Sequence, residues 1–92
     1  MIQGFKDADT KELYENGTNR RWAAIRAVAL RKLDQIEASI NLSELRVPPG
    51  NRLEALKGTR VGQHSIRIND QYRICFNWKV DGAHAVEITD YH

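Results

Sequence analysis

The stretch Gln63-His64-Ser65-Ile66-Arg67-Ile68-Asn69-Asp70-Gln71-Tyr72-Arg73-Ile74-Cys75-Phe76-Asn77-Trp78 decides the architecture. Apolar and polar residues alternate on both sides of Asn69-Asp70-Gln71, the pattern of two half-buried strands. Ile66 and Ile68 share one side of the first strand, over residues 63–69; Tyr72, Ile74, Phe76 and Trp78 share one side of the second, over 72–78. Cross-strand partners in an antiparallel hairpin point the same way, so Ile68 must face Tyr72 and Asn69-Asp70-Gln71 must form a three-residue loop. Asn and Asp tolerate the left-handed backbone such a loop needs. The same parity sets Arg67 opposite Arg73 on the polar side. Like charges so placed repel, which invites an anion between them, phosphate being the obvious candidate. The alternatives are that both guanidiniums splay into water or pair with Glu87, which shares that side.

Downstream, Asp81-Gly82 marks a second hairpin turn, and residues 85–90 form a third strand with Val86 and Ile88 on the greasy side. That strand returns alongside Arg73, with Thr89 and Tyr91 on the polar side, Asp90 toward the core or its rim, and His92 following. Upstream, Leu53-Glu54-Ala55-Leu56-Lys57-Gly58 reads as a short connection into the sheet. Pro48-Pro49-Gly50-Asn51 forces an extended stretch and a turn, because neither proline donates a backbone hydrogen bond. Residues 42–45 end a helical region whose main helix is expected over 20–38. There Trp22, Ile25, Ala29, Leu33 and Ile36 recur at three or four residues, while Arg21, Arg26, Arg31 and Lys32 lie largely off the stripe. A shorter helix precedes it, opened by a capping box of Asp9 and Glu12 and closed by Asn16-Gly17, with Thr18 or Asn19 capping the next. Residues 1–5, with Ile2 and Phe5, are a candidate edge strand. No internal repeat or low-complexity run is present.

Ninety-two residues suffice for one hydrophobic core and not for two, so residues 1–92 are read as a single domain. The 41% hydrophobic and 28% charged fractions are those of an ordinary globular chain, which argues against disorder. No apolar run approaches a bilayer crossing, and residues 1–10 lack the basic-then-apolar pattern of a secretion signal, so a cytoplasmic location is expected. A lone cysteine, Cys75, rules out an internal disulfide and a zinc site of paired thiolates. The net charge of +2 hides an uneven distribution. Residues 1–45 balance, whereas 46–79 carry Arg46, Arg52, Lys57, Arg60, Arg67, Arg73 and Lys79 against only Glu54 and Asp70. From residue 80 on, Asp81, Glu87 and Asp90 stand without any Lys or Arg. The basic zone is either a polyanion-binding surface or a solvated surface that happens to be basic.

Leu53-Glu54-Ala55-Leu56-Lys57-Gly58, Gly62-Gln63-His64-Ser65-Ile66-Arg67, Asn69-Asp70-Gln71-Tyr72-Arg73-Ile74-Cys75-Phe76 and the closing Asp90-Tyr91-His92 together resemble the HigB branch of the RelE/ParE toxin superfamily. The phrases Pro-Pro-Gly-Asn-Arg-Leu-Glu and Gly-Gln-His-Ser-Ile-Arg look especially like its GraT-type members. The resemblance spans nearly the whole chain. It implies an α+β, RelE-like fold in which two N-terminal helices pack on a mainly antiparallel sheet. It also implies cleavage of messenger RNA in the ribosomal decoding site and inhibition by a HigA-like helix-turn-helix antitoxin, the toxin alone being monomeric. The apolar helix stripe is then core, or in part an antitoxin-binding surface. A related class, the ParE-like gyrase poisons, shares the topology without the chemistry, and a non-catalytic nucleic-acid-binding protein is a further alternative.

RNA can be cut by its own 2′-hydroxyl if a base takes that proton, a cation stabilises the crowded phosphate, and an acid protonates the departing 5′-oxygen, with no metal or other cofactor. By the resemblance, Arg73 and Lys57 hold the scissile phosphate, with Arg67, Arg60 and Arg52 as further RNA contacts. His92, whose ordinary pKa lies near neutrality, suits proton transfer, unless it is simply a chain end. Tyr91 stacks on a base or moves a proton, or merely caps the sheet edge. Asp90 orients the pair, or is an ordinary strand-end carboxylate. Where HigB enzymes carry a histidine this chain has Glu54, which is either a base or a partner for Lys57. His64 and His84 are expected to be structural or exposed, and Cys75 a small filler.

Overall fold

The computed structural model describes residues 1–90. Helices α1 (Ala8–Asn16) and α2 (Arg26–Ala38) precede four strands, β1 (Glu54–Ala55), β2 (His64–Arg67), β3 (Tyr72–Lys79) and β4 (Gly82–Asp90). Helix α1 begins earlier than the Asp9/Glu12 capping box implies, because Asp7 is the N-cap and accepts the Thr10 N–H at 2.9 Å. Asp9 and Glu12 are used elsewhere: both accept from the Asn19 side-chain amide, at 3.2 and 2.8 Å, and so tie the inter-helix loop back onto α1. Gly17 ends α1 in the left-handed region, its N–H on the Leu13 carbonyl at 2.8 Å.

Asn19 does turn the chain into the next element, its Oδ1 accepting the Arg21 N–H. Yet α2 starts at Arg26 and not near residue 20. A tighter three-residue helical turn, Ala23–Ile25, intervenes and carries the Trp22 indole into the core, edge-on to Tyr72 at 5.4 Å. Ring burial overrides the simple helical period here.

The strands form one antiparallel sheet in the order β1-β2-β3-β4. The hairpin register follows the parity argument: Ile66 pairs with Ile74 and Arg67 with Arg73. The Asn69 side chain braces the loop by accepting the N–H groups of Gln71 and Tyr72 at 2.8 and 2.7 Å. Two strands differ from expectation. Glu54–Ala55, expected as a connection, adds a short edge strand to β2. Strand β4 starts at Gly82, because a bulge absorbs one extra residue: Cys75 pairs with Glu87 but Asn77 with His84, and Ala85 sits at φ 51.

Residues 1–5 run parallel to β4, through bridges of Ile2 with Ala83 and Phe5 with Val86. Gly82, at φ 126, makes this possible, since a Cβ there would lie 2.0 Å from the Met1 carbonyl oxygen. Helix residues Leu13, Ala29, Leu33 and Ile36 then pack on Ile66, Ile74, Phe76, Val86 and Ile88, leaving the opposite sheet face to polar side chains. No helix among the described residues is long and apolar enough to cross a membrane.

Candidate functional site

Strand alternation gathers Ser65, Arg67, Arg73, Cys75, Glu87 and Thr89 on the face turned away from the core, with Glu54 beside Ser65 at the β1 edge. Arg73 dominates it. The residue is only 6% exposed, and its guanidinium is held by several fixed acceptors. Nε donates to Ser65 Oγ at 2.7 Å, and Nη2 donates to the carbonyls of Arg52 at 2.7 Å and Ser65 at 3.3 Å. Glu54 Oε1 stands 3.6 Å from Nη2. A buried charge persists only when paired and hydrogen-bonded, and Arg73 is both.

The two facing arginines therefore do not wait on one shared anion: Arg73 meets Glu54, and Arg67 is paired with Asp70 at the hairpin tip. Glu87 bonds neither of them. It is bracketed at 3.3 Å by Arg60 from the loop before β2 and by Lys6 from the N-terminal segment.

Beside this cluster lies an open depression of about 340 Å³ lined by Glu54, Ala55, Leu56, Lys57 and Arg60. Lys57 is exposed at its wall, at the start of the Gly58–Arg60 turn. Arg60 is oriented by Gln63, which accepts from it at 2.9 Å, as well as by Glu87. Glu54 is the seam, lining the depression on one side and touching the buried Arg73 on the other.

The fold thus brings Arg73, Glu54, Lys57 and Arg60 together. Arg52 contributes its carbonyl while its own side chain is exposed, and Arg67 lies directly across the strand pair from Arg73, turned to Asp70 at the hairpin tip. Asp90 pairs with Tyr72, so it falls on the other side of the sheet from Arg73; its carboxylate accepts from Gln71 at 3.1 Å. Thr89 lies opposite Arg73 on β4. Tyr91 and His92 lie outside the described residues.

Cys75 is 1% exposed, and burial pushes its thiol up from the ordinary value despite the nearby Arg60 and Arg73. That environment suits a filler and not a nucleophile. His84 is bonded to Asp81, and His64 is half-buried beside Ala55 at the sheet edge. Among the described residues no cluster of three His, Cys, Asp or Glu side chains is placed to hold a metal.

Two elements of the site went unread in the sequence. Ser65 was within reach, since it shares the parity of Arg67 and Arg73. The Arg52 carbonyl was not, because its direction depends on a left-handed backbone, φ 46, at a residue that is not glycine.

Residues 3–92 match the family described as the RelE-like toxin of type II toxin-antitoxin system HigB. Toxin HigB-1 of Vibrio cholerae serotype O1 is 42% identical over 85 residues, covering 90% of this chain and 88% of that protein. An uncharacterized protein of Haemophilus influenzae is 46% identical over 52 residues, covering 56% of this chain and 52% of that one. Among solved structures, the YoeB-YefM complex from Staphylococcus aureus superposes with a TM-score of 0.62 at 17% identity, covering 100% of this chain and 98% of that chain, a likeness of fold. With the family matched over nearly its full length, this chain belongs to the HigB-like toxins, the RelE-like toxins of type II toxin-antitoxin systems.

Proposed function

We propose that the chain is an endoribonuclease that cuts messenger RNA on the ribosome by attack of the RNA's own 2′-hydroxyl, and that a HigA-like helix-turn-helix antitoxin holds it silent in the cytoplasm. The observation that carries this reading is the buried, pre-oriented guanidinium of Arg73 beside a depression walled by Lys57 and Arg60. Fixed donors with little water around them stabilise developing charge far better than mobile surface cations do. A phosphate entering the depression meets Lys57 and Arg60 first and competes with Glu54 for Arg73. The 2′-oxygen then bonds to phosphorus as its proton leaves, and the P–O5′ bond breaks as the 5′-oxygen gains a proton. The products are a 2′,3′-cyclic phosphate and a 5′-hydroxyl.

Proton transfer is assigned to His92 and Tyr91, with Asp90 as their charge partner and Glu54 chiefly as the counter-ion of Arg73. Arg52 and Arg67 supply outer contacts to the RNA backbone. Among the described residues few acid-base groups are gathered around Arg73, which supports a reading in which the ribosome positions the message.

The test is to induce the chain without antitoxin and map messenger ends in cells. New cuts within translated codons are expected, and they should disappear with Arg73→Ala. The absence of such cuts overturns the reading. Growth arrest with a DNA-damage response that Arg73→Ala or His92→Ala leaves intact would instead place the chain with the gyrase poisons.

A further inference from the structure

We propose that Lys32 and Asn51 are positioning residues for Arg73, acting through the backbone carbonyl of Arg52. The inference rests on Arg73 being the group that holds the reacting phosphate. Asn51 is fully buried although Pro48, Pro49, Gly50 and Arg52 around it are exposed. Its amide nitrogen donates to Gln35 Oε1 at 2.9 Å and to the carbonyls of Leu45 at 3.1 Å and Val47 at 3.3 Å. Its Oδ1 accepts from the ammonium of Lys32, itself 8% exposed.

A lysine drawn out of water from the polar side of α2 must be compensated, and a loop asparagine with every polar atom engaged is a clamp, not a spacer. The clamp fastens the loop at 45–51 to α2. The next residue, Arg52, takes φ 46 and ψ 55, with its N–H on the Pro49 carbonyl at 3.1 Å. That left-handed step turns its carbonyl to Arg73 Nη2 at 2.7 Å. A chain of fixed contacts thus runs from the helix layer to the polar face: Lys32 to Asn51, Asn51 to the loop, Arg52 carbonyl to Arg73. Without the clamp, a non-glycine residue has little reason to keep the strained conformation, and Arg73 Nη2 keeps the Ser65 carbonyl and Glu54 but loses the 2.7 Å contact to the Arg52 carbonyl. Displacements of this kind are felt in the chemical step more than in binding.

The experiment places Lys32→Met and Asn51→Ala in both wild-type and Arg73→Lys backgrounds and measures single-turnover cleavage on programmed ribosomes. In the wild-type background each should lower the rate at saturation about tenfold with an unchanged half-saturating concentration. In the Arg73→Lys background each should cost less than about twofold, because the clamp then has nothing to orient. Equal losses in both backgrounds, or losses confined to half-saturation, overturn the proposal. Lys32→Met, which keeps the asparagine donors and the side-chain length, carries the test if Asn51→Ala does not fold. A readout independent of cleavage is the hydrogen exchange of the Arg73 Nη2 protons, which the Arg52 carbonyl accepts, followed by NMR and assigned by their absence in Arg73→Lys. It should speed up about tenfold in Lys32→Met, and an unchanged rate contradicts the clamp. A wild-type chain that cuts no message removes the proposed function while leaving this NMR result to decide the positioning.

Discussion

Arg73 keeps a full positive charge with little access to water, and the sequence alone shows only part of how. Parity along the strand placed it opposite Arg67, so that part of the neighbourhood was legible. Its partners were not all so, because Glu54 reaches it from an edge strand too short to leave an alternation, and Arg52 reaches it by a carbonyl. Cys75 next to it offers a residue-scale prediction. With its thiol pushed above the ordinary value by burial, the folded state holds that proton more tightly than the unfolded chain does. Its contribution is therefore complete below the ordinary thiol pKa and is lost as pH rises through the higher, folded value. Unfolding free energies measured by urea at stepped alkaline pH should fall more steeply for wild type than for Cys75→Ala, and native Cys75 should resist thiol reagents that modify it in urea. Parallel pH slopes, or rapid native modification, would contradict the burial argument.

At the scale of elements, capping signals located the first helix and hydrophobic periods located the second and three of the four strands, and the periods erred where a single side chain outweighed them. Trp22 delays α2 by burying its ring, and the bulge at Ala85 lets β4 run back to Gly82 while Val86 stays in the core. The clearest dependence on one position is at the start of β4. Gly82 holds φ 126 with the Met1 carbonyl where a Cβ would be, so the N-terminal segment can lie on β4 only if this residue is glycine. Gly82→Ala combines backbone strain of about 1–3 kcal/mol with displacement of the segment that carries Lys6 to Glu87. A loss of at least about 2 kcal/mol, seen as a fall of roughly 8 °C or more in Tm for a domain this size, is expected. A melting temperature within a degree of wild type would show that the segment is not held as described.

Taken as a whole, the molecule sorts its charge differently from its sequence. Of the basic run over 46–79, Lys57 and Arg60 line the depression and Arg73 lies beside it through Glu54, yet folding threads acids among these cations. Glu54 meets Arg73, Glu87 arrives from the acidic tail to meet Arg60, and Asp70 neutralises Arg67. Most of these pairs are partly exposed and add little to stability. In the proposed function their effect is on recognition: a polyanion would have to displace carboxylates to reach the arginines, and a site so guarded would favour a ligand delivered in the right geometry over one met at random.

The most direct test uses purified chain, ribosomes programmed with an end-labelled message, and single-turnover conditions. Wild type should produce fragments ending in a 2′,3′-cyclic phosphate and beginning with a 5′-hydroxyl, and Arg73→Ala that still folds should slow this by at least about a hundredfold. No cleavage by wild type, or an Arg73→Ala variant that cuts as fast, would contradict the account at its centre.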